Sequence, residues 1–267
     1  MKNRAIVPLG LSTLAFVVIL IAESIRLRTG ERPLPIAWSA SGIVLAAVVV
    51  LRWWTVDERR FETAVQATNP LPDLPLRPRR YLNMMVAAMG VGLVATVAIT
   101  RNFYLGAGIY LVMHLCLMAA FSGILHLQPR RILRAVELRR PSLITSAFWL
   151  ILTPLVYILF VYNGSRTLIV APYVAALGLM ALVVWLGLAY RQRPLLFRVL
   201  AASGAASFVF SDALIGHMVF VNPETPLVFL ISPTYVLAII LLSQSLLFWP
   251  AALAHEESLL APVARGE

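Results

Sequence analysis

Eight stretches of about twenty apolar residues run through this chain, and crossing the hydrocarbon core of a bilayer as a helix takes about 20. Such a segment must satisfy its own backbone, because hydrocarbon offers no partner to a free N–H or C=O. The expected architecture is therefore all-α, a polytopic membrane bundle of eight transmembrane helices. Read from the sequence, the helices cover about 5–25, 36–54, 81–100, 104–127, 142–162, 168–190, 194–221 and 227–249. The chain, 1–267, reads as a single membrane domain with no repeat between its halves. Its residues are 60% hydrophobic and 13% charged, against about 25% charged in a soluble domain. The start, MKNR followed by AIVPLGLSTLAFVVILIA, has the form of a signal peptide and is read as the first membrane helix.

A net charge of +10 could suit nucleic acid, but the cations lie in short loops between the spans, so no nucleic-acid partner is expected. With the N-terminus inside, Lys2, Arg4, Arg52, Arg59, Arg60, Arg77, Arg79, Arg80, Arg130, Arg131, Arg134, Arg139, Arg140, Arg191, Arg193, Arg198 and Arg265 fall on the inner side. Arg26, Arg28, Arg32, Arg101 and Arg166 fall outside. That asymmetry predicts a multi-pass protein of the cell membrane with both termini cytoplasmic. Lys2 is the only lysine, a bias that goes with a GC-rich bacterial genome and hence a bacterial inner membrane.

The longest polar segment, Thr55–Arg80, carries the run NPLPDLPLRP, whose prolines forbid a continuous helix. Within it, DERRFETAVQAT has the pattern of a short surface helix. The tail AALAHEESLLAPVARGE is polar enough to leave the membrane. Trp53, Trp54, Trp249 and Trp38 fall near span ends and read as interfacial anchors. The lone Cys116 can form no intramolecular disulfide and no zinc or redox motif, so no metal or cofactor is expected.

Polar side chains inside the spans are few. Asp212 stands out, because an ionisable group within a membrane helix costs about 2.5–3.5 kcal/mol on insertion scales. It either serves a functional site or pins one helix to another. His114 lies ~15 Å along its helix at 1.5 Å per residue, as a proton carrier, an orienter of a substrate oxygen or a helix tie. Tyr173 follows Pro172 near the start of the sixth span, Tyr235 lies toward the outer end of the eighth, and Ser243 and Gln244 toward its inner end. Glu23 ends the first span and reads as interfacial, as does His217; His126 reads as structural.

Four segments taken in order resemble the YhhN-like, lysoplasmalogenase family of eight-helix membrane proteins. In LGAGIYLVMHLCLMAAF, Gly106, Tyr110, His114 and Phe121 match a Gly-x-x-x-aromatic-x-x-x-His pattern closing on Phe, with Leu117 where a second aromatic is common. APYVAALGLMALVVWLG resembles a Pro-x-x-Tyr…Met stretch, with slightly different spacing. GAASFVFSDALIG matches Gly-Ala-x-x-Phe-x-x-Ser-Asp through Gly204, Ala205, Phe208, Ser211 and Asp212, and LSQSLLF matches an Ala-Gln-x-Leu-Ile ending through Gln244. Two features depart from the pattern. Gly90-Val91 stands where the family carries Gly-Asp, and RPLPIAW where it carries Lys-Pro.

The resemblance implies hydrolysis of the vinyl ether bond of lysoplasmalogens, with membrane lipids as the partners and a lipid as the substrate. A buried carboxylic acid would protonate the vinyl carbon, and a second carboxylate would stabilise the cation and activate water. On this reading Asp212 and His114 are catalytic, and Tyr110, Tyr173, Ser211 and Gln244 bind substrate. Val91 in place of a carboxylate implies weak or altered activity. The rival readings are a non-catalytic lipid-binding or sensory protein of the same fold and, ranked last, a small-molecule transporter. No inverted repeat or pair of broken helices supports transport.

Overall fold

The computed structural model of the chain describes residues 4–30, 33–71 and 73–253. Lys2, Arg32, Arg265 and the polar tail from 254 onward lie outside the described residues. Among those described, 84% are helical and none belongs to a strand. The bundle is all-α, with eight helices long and apolar enough to cross a membrane.

In chain order the helices are α1 (Ile6–Thr29), α2 (Leu34–Val50), α3 (Glu58–Ala67), α4 (Pro78–Ile99), α5 (Phe103–Phe121), α6 (Pro129–Arg134), α7 (Val136–Val156), α8 (Ala171–Trp185), α9 (Leu195–Gly216) and α10 (Ile231–Gln244). Short π turns extend α2, α7 and α9, and 3₁₀ turns lead into and out of α8 and α10. The surface helix expected after the second span is α3, where the Asp57 side chain accepts from the N–H groups of Arg59 and Arg60 as an N-cap.

Two span boundaries differ from the sequence reading. The fourth span ends at Phe121 rather than near 127, because Gly123 packs on the start of α4 and its carbonyl accepts from Arg77 N–H. The fifth begins at Val136 rather than near 142 and runs through Pro141. That proline removes the partner of the Glu137 carbonyl, but Glu137 is exposed at the helix start.

Neighbouring helices close a ring in the order α1, α2, α4, α5, α8, α9, α10 and back to α1, with α7 packed outside against α8. Accordingly, α7 is the least buried span and α9 the most. Without a hydrophobic drive between helices in lipid, such contacts rest on close packing. Gly204 shows this: a Cβ there would lie 2.8 Å from the Leu242 nitrogen and 3.0 Å from the Ala238 carbonyl oxygen. The backbones of α9 and α10 touch at that point.

At the arginine-rich end of the bundle, Arg193 is buried at 2% exposure. It donates to the Ile124 carbonyl and lies 4.2 Å from the ring centre of Tyr190 and 5.6 Å from that of Trp249. Burial pushes its guanidinium down to about 10, so it keeps its charge at neutral pH. Tyr190 also accepts nothing idle: its hydroxyl takes the N–H of His126, and the His126 ring lies 2.8 Å from the Asn69 side-chain oxygen. His126 is thus part of the loop packing at this end of the bundle.

Two measurements check this architecture. Gly204→Leu should lower stability by about 1–3 kcal/mol, seen as a lower denaturation midpoint in detergent. Gly10→Leu, where an added Cβ meets nothing within 4 Å among the described residues, should leave the midpoint unchanged; equal effects would contradict the α9–α10 contact. For topology, cysteines placed at 128–135 and 222–225 in a Cys116→Ala background should react with an impermeant reagent from opposite sides. Reaction of both from one side would overturn the alternating topology.

Candidate functional site

The site lies at the opposite, arginine-poor end. Asp212 stands one turn before the end of α9, with 9% of its surface exposed. The facing helix, α8, opens with Pro172, whose fixed φ suits a first turn and whose missing N–H costs nothing there. The next residue, Tyr173, points its hydroxyl across the gap and donates to Asp212 Oδ2 at 2.5 Å. On α5, His114 is fully buried, and its Nε2 lies 3.9 Å from the same oxygen, too far for a hydrogen bond. The imidazole leans on the rings of Tyr173 and Phe208, at centroid distances of 5.3 and 5.1 Å. Among the described residues, neither ring nitrogen has a hydrogen-bond partner.

One turn earlier on α5, Tyr110 faces the same way as His114. Its hydroxyl is 2.9 Å from Thr96 Oγ1 of α4, and Thr96 Oγ1 is 3.2 Å from the Tyr235 hydroxyl of α10. Three hydroxyls from three helices therefore meet beside the carboxyl group. The rings of Tyr110, Phe208 and Tyr235 pack edge to face around them.

These side chains separate two cavities. The smaller, 40 Å³, touches Asp212, Tyr173 and Tyr110 and continues between Val170, Val174, Leu177 and Phe220. The larger, 270 Å³, is lined by Tyr110, Thr96, Tyr235, Trp38, Ser41, Glu23 and Arg26 among apolar residues. Ile99, Phe103, Tyr110 and Ile215 border both. A third space is a 420 Å³ groove between α5, α6, α7 and α8, where among the described residues Ser142 and Ser146 are the polar side chains in the wall.

The structure brings Asp212, His114, Tyr173 and Tyr110 together. Ser211 is elsewhere: its hydroxyl donates to the Ile231 carbonyl at 2.9 Å and ties α9 to the start of α10. Gln244 is at the far end of α10, about 20 Å along the axis from the level of Asp212 at 1.5 Å per residue. It touches Ser243, and among the described residues its Oε1 has no partner. His217 follows α9 in a π turn against Phe160 and lines neither cavity. Val91 is half-buried against the core and also lines neither.

Three participants carried little sequence signal. Thr96 is one of several hydroxyl residues near a span end. Glu23 reads from the sequence as interfacial and Arg26 as an outer-side cation, yet they form an ion pair at 2.9 Å, and Arg26 also donates to the Val228 carbonyl. Their spacing of three on a helix, which brings two side chains to one face, was the available clue.

Chemically, the site offers one carboxyl, one imidazole and three tyrosine hydroxyls within apolar walls. Among the described residues, no three His, Cys, Asp or Glu side chains group as metal ligands. Searches of curated proteins and of solved structures returned no match. A family model, however, matches residues 74–246, nearly two thirds of the chain, from just before the third span to Leu246 in the eighth. The match takes in Thr96, Tyr110, His114, Tyr173, Asp212 and Tyr235 and leaves out α1 and α2. On that match the chain belongs to the YhhN family.

Proposed function

We propose that the protein is a lysoplasmalogenase-like hydrolase, which adds water across the vinyl ether bond of a lysoplasmalogen. The observation that carries the reading is Asp212: a carboxyl group held by Tyr173 in the wall of an apolar cavity with aromatic sides. The family resemblance supplies the reaction.

The substrate is R–O–CH=CH–R′. Asp212, protonated, gives its proton through the oxygen not engaged by Tyr173 to the carbon distal to the ether oxygen. The C=C pair forms the new C–H bond, and positive charge spreads over the adjacent carbon and the oxygen. The carboxylate left behind faces that cation, and tyrosine faces beside it favour positive charge. Water then attacks the oxocarbenium carbon and returns a proton to Asp212, which restores the acid. The resulting hemiacetal breaks its C–O bond as its hydroxyl proton moves to the departing oxygen. The products are R–OH and the aldehyde O=CH–CH₂–R′. Tyr173 keeps the carboxyl oriented, and His114 closes the site behind it.

A second reading has its own support. Among the described residues, no second Asp or Glu lines the small cavity, so a lipid-binding protein of the same fold without the reaction is the alternative. Purified protein given a lysoplasmalogen separates them by aldehyde release. The hydrolase reading expects turnover in the wild type and a loss of about 10²–10⁴ in Asp212→Asn. Tyr173→Phe removes one hydrogen bond to the carboxyl group, worth about 1.5–3 kcal/mol when charged, and should cost about 10–100-fold. Gln244→Leu, remote from the cavity, should keep wild-type activity. Val91→Asp should bring no gain, since position 91 borders neither cavity. No aldehyde from the wild type, with lysolipid still bound, would favour the binding protein.

A further inference from the structure

The two cavities and the polar groups around them form a sequence. Glu23 and Arg26, in the last turns of α1, stand at one end of the larger cavity. The hydroxyls of Thr96, Tyr110 and Tyr235 come next, then the Asp212 carboxyl group. Beyond Asp212 the smaller cavity is walled by Val170, Val174 and Leu177. Charge, hydroxyl, carboxyl and hydrocarbon therefore follow one another through the site.

The ion pair is the part of this order that the reaction does not use. Glu23 is 8% exposed, and the Arg26 side chain keeps 18% of its surface. Withdrawing two charges from water is costly, and a single mutual contact does not offset it well. A guanidinium has five N–H donors in a planar fork. Among the described residues, both contacts of Arg26, to Glu23 and to the Val228 carbonyl, fall on Nη1. The rest of the fork is left for an anion, and planar forks match phosphate oxygens. Glu23, beside it, is a carboxylate suited to an ammonium group.

We propose that Glu23 and Arg26 form a head-group subsite for a zwitterionic lysophospholipid, with Arg26 on the phosphate and Glu23 on the amine. The free glycerol hydroxyl lies against Thr96, Tyr110 and Tyr235, and the first alkyl carbons reach the apolar cavity beside Asp212. This proposal rests on the lipid-hydrolase reading for the orientation of the ligand, but head-group binding itself requires no reaction. The subsite belongs to α1, outside the segment matched by the family model, so it would distinguish this chain's lipid choice from its chemistry.

The test is binding of saturated 1-O-alkyl lipids, which have no vinyl bond to cleave, followed by native mass spectrometry of the full chain in detergent. Three ligands of equal chain length are compared: alkylglycerophosphoethanolamine, alkylglycerophosphate and alkylglycerol. The wild type should bind the phosphoethanolamine lipid at least ten-fold more tightly than alkylglycerol. Arg26→Gln should bring these two to near parity without weakening alkylglycerol, and Arg26→Lys should keep part of the preference. Glu23→Gln should remove the preference for phosphoethanolamine over phosphate. Competition by millimolar inorganic phosphate alone would mark a free-anion site and overturn the proposal. So would a wild type without head-group preference, or an Arg26→Gln variant that weakens all three ligands equally, since Arg26 would then be only a tie to Val228. The same series in the Asp212→Asn background separates the two readings. A preference that persists while the wild type releases no aldehyde leaves the head-group subsite standing and the hydrolase reading refuted.

Discussion

A carboxyl group placed among membrane helices must be solvated by those helices, and the arrangement around Asp212 follows from that requirement. Tyr173 supplies the hydrogen bond, His114 and Phe208 supply the walls, and the carboxyl group faces a cavity rather than acyl chains. To bring these groups together, α5, α8 and α9 must meet at the same depth. The ring of helices achieves this with α9 as its most buried member.

The close approach of α9 and α10 at Gly204 sets the second half of the site. It brings Tyr235 of α10 into the layer of Tyr110 and Thr96, and the Ser211 bond to the Ile231 carbonyl fixes the level of α10 against α9. At the other end, Arg193 is packed among the loops around it, and the cavities that meet at Tyr110 lie toward the arginine-poor end. Packing thus sets where the two cavities lie, and the few polar side chains set which parts of their walls are polar.

The spans were legible in the sequence because length and apolarity alone define a membrane helix. Asp212 was legible because a carboxyl group in such a span is anomalous, and Tyr173 because Pro172 marks a helix start. Other positions depended on rotation and depth, which composition does not carry. Ser211 is one residue from Asp212, but a step of about 100° around the helix turns it to α10. Gln244 shares a motif with the site residues, yet its place at the end of α10 puts it near the opposite face of the bundle. Glu23 and Arg26 look like any charged pair at a span end until α1 is docked beside α2 and α10.

The central claim is that Asp212 faces the reacting bond of a lipid threaded between the two cavities. A structure of the protein with a bound non-cleavable alkyl lysophospholipid measures this directly. The account predicts lipid density through both cavities, with the first alkyl carbons and the ether oxygen within about 3.5 Å of the Asp212 carboxyl group. Density confined to the 420 Å³ groove between α5, α6, α7 and α8, with the Asp212 cavity free of lipid, would contradict it.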